Sequence, residues 1–71
     1  MSKYMLLEQH ISRLGIGEFL FIGQGYELNE MQNVLYYLKT LETRKILQIV
    51  YQHVEQETGQ GLVDLVKVQK C

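Results

Sequence analysis

From Leu28 to Glu57 the chain runs for thirty residues with neither glycine nor proline, and Met31, Val34, Leu35, Leu38, Leu41, Ile46, Ile49, Val50 and Val54 supply most of its apolar positions. Nothing in such a stretch interrupts regular structure, so its apolar spacing decides what it becomes. The spacings of three and four predict helix. Asn29 is a good N-cap, Gln32 stands where it can return the hydrogen bond, and Glu30 in the first turn suits the helix dipole. Advancing about 100° per residue, Met31, Val34, Leu35 and Leu38 form one stripe and Ile46, Ile49, Val50 and Val54 another, rotated by roughly 80°. A single straight helix would also place Glu42 and Lys45 on the apolar face. The segment is therefore expected to divide into two helices, Asn29 to Lys39 and Leu41 to Glu57, with a tight turn at Lys39 to Thr43; one bent helix is the alternative.

The rest of the chain is arranged around that segment. Tyr4, Leu7, Ile11 and Leu14 recur at helical spacing between a capping Ser2 and a terminating Gly15, which predicts a first helix. The run Glu18-Phe19-Leu20-Phe21-Ile22, bounded by Gly15-Ile16-Gly17 and Gly23-Gln24-Gly25, reads as a short buried strand. Two glycines without the third of a dinucleotide fingerprint carry little specificity: Leu20 and Leu28 stand where that third glycine belongs. The doublets, with Gly59-Gln60-Gly61, are read as turns. Three valines within Leu62 to Val68 favour a second strand, the one partner in the chain for Phe19 to Ile22, although the alternation is imperfect and Leu62, Leu65 and Val66 would also share one face of a helix, the alternative. The expected fold is a single α+β domain over residues 1–71, of order α-β-α-α-β, helix-dominated, with a minimal two-stranded sheet able to extend across a dimer.

Chain length sharpens the dimer expectation. At 71 residues a domain buries a small fraction of its surface and usually needs a disulfide, a metal or a partner. The lone Cys71 forms no internal disulfide, and two histidines with one cysteine make a poor ligand set, which leaves self-association. The N-terminus does not fit a secretory signal, because Glu8 interrupts the apolar run after Leu7, and no stretch is long enough to span a bilayer. With a single cysteine, a cytoplasmic setting is expected.

Candidate chemistry is sparse. His10 and His53 lack paired-ligand spacing, Ser2 and Ser12 lie in no nucleophile motif, and Glu55 and Glu57 would point apart on a helix. No catalytic residue, metal or cofactor is expected, and the chain is not read as an enzyme. Seven Lys and Arg against eight Asp and Glu give a net charge of -1, so nucleic-acid binding would have to rest on local clustering. Lys39, Arg44 and Lys45 form such a cluster, and a winged-helix or helix-turn-helix regulator would use them as phosphate contacts. Glu42, Glu55 and Glu57 oppose that use. The stronger expectation rests on Tyr36, Tyr37, Arg44 and Tyr51. On a continuous helix Tyr37, Arg44 and Tyr51 would form an aromatic-Arg-aromatic stripe, a composition enriched at protein interfaces. The sequence thus suggests a small non-enzymatic regulatory protein of adaptor, antagonist or inhibitor type, in the manner of compact phage- or plasmid-encoded proteins, acting as a homodimer on another protein.

Overall fold

A computed structural model describes residues 3–71. Two helices and three strands follow one another as α1 (Lys3–Arg13), β1 (Phe19–Ile22), α2 (Leu28–Thr43), β2 (Leu47–Val54) and β3 (Val63–Lys70). The strands form one antiparallel sheet of order β1-β3-β2, so the strand latest in the chain is the central one. Both helices cover the same face. Leu7 and Ile11 of α1 join Met31, Val34, Leu35, Leu38 and Leu41 of α2 in one core with Ile22, Leu47, Val66 and Val68 of the sheet. The fold class is α+β, as the sequence predicts, but the order is α-β-α-β-β and the sheet has three strands rather than two.

The difference lies in the second half of the opening segment. The expected helix Leu41 to Glu57 does not form: α2 ends at Thr43 and the chain re-enters as β2. The change of apolar phase is real, and it marks the end of a helix. Arg44 is the C-cap, Lys45 adopts a left-handed φ of 62°, and the amides of Lys45 and Ile46 donate to the carbonyls of Glu42 and Leu41 at 3.0 Å each. This is a Schellman closure, with Leu41 and Ile46 as its apolar pair, made without the usual glycine. From Leu47 on, Ile49, Val50, Tyr51 and Val54 are residues that pack well on a pleated surface. Their alternation is disguised by an extra residue: Ile49 faces Val68 and Tyr51 faces Lys67, so Val50 is a bulge. Removing Val50 from the count restores the two-residue period.

The expected first helix, strand and last strand all form, although the Ser2 cap falls outside the described residues. The start of α2 is correct within a residue, yet its cap is Glu27, whose backbone amide donates to Glu30 Oε1 at 2.9 Å, and not Asn29. Gln32 serves another purpose. Its Nε2 donates to Leu28 O at 3.0 Å and to Val63 O at 2.7 Å, tying the first turn of α2 to the start of β3. Between α1 and β1 the chain reverses at Gly15 to Glu18, with Gly17 at φ 87°; Gly17 donates to Lys70 O while Glu18 O accepts from Lys70. That is a glycine-dependent bulge opening β1. Beyond β1, a Cβ on Gly23 would lie 2.5 Å from Asp64 O, so only glycine lets the two backbones pass there.

Candidate interaction surface

Because both helices lie on one side, the other face of the sheet is left uncovered by the described residues. Register and alternation place its side chains in rows across β1, β3 and β2: Phe19, Gln69 and Gln48, then Phe21, Lys67 and Tyr51, with Leu65 and His53 following. Phe19, Phe21 and Tyr51 remain 51, 60 and 48% exposed. The reading of β1 as a fully buried strand therefore holds for Ile22 and in part for Leu20, and fails for the two phenylalanines, which have no second layer above them. Lys67 projects between the aromatics, its Nζ 4.3 Å from the Phe19 ring centre and 5.4 Å from that of Phe21, within cation-π range. His53 Nδ1 lies 2.6 Å from Asp64 Oδ1 at the edge of this face.

The sheet ends in two different edges. In β1 the ladder turns the backbone groups of Leu20 and Ile22 toward β3 and leaves those of Phe19 and Phe21 facing outward. Among the described residues nothing hydrogen-bonds to that outer side. In β2 the outward amide of Ile49 donates to Glu42 Oε2 at 2.8 Å, and Val50 interrupts the ladder one residue later. Beside the β1 edge runs an apolar groove of about 390 Å³, with Leu6, Leu7 and His10 of α1 on one side and Leu20 to Ile22 on the other.

The residues singled out from the sequence are dispersed. Tyr36 is exposed on α2. Tyr37 is half-buried against the core, and burial, reinforced by the charge of Glu8, pushes its hydroxyl pKa above the usual value while Arg44 pulls the other way. Arg44 caps α2 and Tyr51 stands on the open sheet face, so the Tyr37-Arg44-Tyr51 helical stripe does not exist. Of Lys39, Arg44 and Lys45, the first lies inside α2 more than a turn before its end, while Arg44 is the C-cap and Lys45 follows it. The turn between two helices that a helix-turn-helix would place there is absent, since Lys39 lies inside α2. Sequence reasoning misses Phe19, Phe21 and Lys67 as surface residues; the two-residue spacing of the phenylalanines is the available signal, but exposure depends on what covers the sheet.

Glu55 closes the β2–β3 hairpin. It is buried, and its carboxylate accepts from the Thr58 hydroxyl, from the Thr58 amide at 2.9 Å and from the Leu62 amide at 3.3 Å. These bonds, the Thr58 hydroxyl first, hold its pKa below the ordinary carboxylate value. Its role is to order a turn. Among the described residues no three His, Cys, Asp or Glu side chains converge to hold a metal ion, and no helix is long and apolar enough to cross a membrane. No protein-family model, curated protein or solved structure matches this chain.

Proposed function

We propose that this chain is a small non-enzymatic binding protein that works as a homodimer and alters the activity of another protein by contact. The observation that carries the reading is the one-sided sheet. A domain short of core leaves Phe19, Phe21 and Tyr51 uncovered around Lys67, where a second layer would bury them. Aromatic groups around one cation fit a protein partner that presents apolar side chains and a carboxylate, since the rings contribute area at low entropic cost and Lys67 fixes orientation. Tyr51 is the one residue of the expected interface set on this face, and the dispersal of Tyr36, Tyr37 and Arg44 moves the weight of the reading from α2 to the sheet.

The test is a tagged pull-down from the native host, with and without nuclease, using wild type, Tyr51→Ala and Lys67→Ala. Capture of one defined protein, indifferent to nuclease and lost in both variants with the fold retained by circular dichroism, supports the proposal. Capture unchanged in both variants refutes it. The regulator alternative makes the contrary prediction of DNA binding at low salt that disappears in Arg44→Ala/Lys45→Ala.

A further inference from the structure

The homodimer in that reading needs an interface, and the two sheet edges are not equivalent candidates. We infer that a second copy of the chain adds to the free edge of β1, antiparallel and two-fold about Leu20, to make one continuous six-stranded sheet with the two α1 helices side by side above it.

The geometry of β1 is self-complementary. Pairing about Leu20 sets the outward backbone groups of Phe19 against those of Phe21 in the partner, and the reverse, giving four new hydrogen bonds, the isologous arrangement that a two-fold axis requires. On the open face each Phe19 then stands directly opposite a Phe21, and cross-strand aromatic pairs are among the more favourable sheet contacts. On the helix side Leu20 meets Leu20 at the mouths of the apolar grooves, which Leu6 and Leu7 also line. The strand pairing itself brings no like charges together: β1 contains no ionisable residue, Glu18 comes opposite Ile22, and Lys67 sits one strand inward over its own phenylalanines.

Surface area favours the same edge. Among the described residues, ten large hydrophobics are left exposed, and of these Tyr4, Met5, Leu6, Ile16, Phe19 and Phe21 belong to α1, β1 and the turn between them. The chain exposes 4956 Å², against about 4,600 Å² for a monomer of its size. At their observed exposures Phe19 and Phe21 offer roughly 200 Å², of which strand pairing covers the flanks turned toward the second copy and leaves the ring faces on the open side. With Leu6, Leu20 and the strand backbone the interface reaches on the order of 500 Å² per copy, the lower limit for a specific association. The β2 edge lacks these features, because Glu42 occupies its Ile49 amide and the Val50 bulge breaks its ladder.

The inference rests on the homodimer reading, and sedimentation velocity separates the two. The full chain is compared with Phe21→Lys and Val50→Lys, both at exposed positions, from 1 to about 100 μM, a range bracketing micromolar affinity. The expected result is a wild-type dimer, unchanged in Val50→Lys, whose dissociation constant rises at least tenfold in Phe21→Lys. As a gain-of-signal check, Leu20→Cys in a Cys71→Ser background should oxidise to a covalent dimer, since a residue facing itself in a non-hydrogen-bonded pair lies within disulfide reach. A dimer broken by Val50→Lys and not by Phe21→Lys, without cross-linking at Leu20→Cys, overturns the β1 interface and leaves the homodimer standing. A monomer throughout the range overturns both.

Discussion

The two edges of this sheet are built from similar residues and treated in opposite ways. β2 is the longer strand, with eight residues and exposed Val50, Tyr51 and Val54, and would be the more dangerous template for unwanted pairing. It is also the guarded one. Glu42 reaches from the last turn of α2 to take the Ile49 amide, and the Val50 bulge twists the ladder out of register. The four residues of β1 have neither device, and their flanking glycines place the strand without shielding it. A chain that blunts one edge and leaves the other bare distinguishes between surfaces, and that asymmetry is the physical basis for assigning the bare edge to association.

Substitutions can break or sharpen the contrast. The largest effect is expected for Leu47→Ala, which removes the fully buried anchor of the β2 end and should cost about 2–5 kcal/mol in chemical denaturation. It would detach the guarded edge from the core. Gly23→Ala forces a Cβ onto the backbone of Asp64 at the opposite side of the sheet, and about 1–3 kcal/mol should be lost, with reduced hydrogen-exchange protection at Ile22 and Val66. Glu42→Ala is the sharper test. It leaves the Ile49 amide without its partner at a cost of about 1 kcal/mol, and unguarded β2 should then self-associate in a manner that Val50→Lys reverses. If Glu42→Ala stays as monodisperse as wild type, the guarding role is wrong.

The smallest effect concerns pH. Glu55 ties the hairpin joining β2 to β3, and its pKa is depressed in the folded chain. A depressed carboxylate pKa contributes stability that is complete above the unfolded value and is lost as pH falls through the folded value. Thermal midpoints should therefore decline on acidification below the ordinary carboxylate range, and Glu55→Gln should flatten that decline while lowering stability near neutrality.

Much of the frame was legible from residue order. α1 carries its own periodicity, β1 is an apolar run between glycines, and β3 is a valine-rich segment recognisable as the partner of β1 because a lone strand needs one. The end of α2 was visible as a loss of phase at Lys39 to Lys45, yet its successor was not. α2 is closed over Leu41 to Ile46 by a Schellman motif whose left-handed position is Lys45 rather than glycine, and the Val50 bulge disguises the alternation of β2. The candidate surface was less legible still. Tyr51 belongs to the stripe expected of a continuous helix and lies instead on β2. An aromatic run resembles a core strand and so predicts Phe19 and Phe21 as interior, but both helices lie on the other side of the sheet and, among the described residues, nothing buries the two rings.

The strand order carries a further consequence, in time rather than in space. β3 lies between β1 and β2 but follows both in the chain, and its partners in β1 are some forty to fifty residues earlier, as in the pairing of Phe19 with Gln69. A chain emerging from its N-terminal end therefore has no sheet until Val63 to Lys70 is available. Until then both flanking strands are unpaired, and the ladder, when it forms, closes long loops that slow folding. The Phe19 to Ile22 segment thus stays without its strand partner until Val63 to Lys70 has been made.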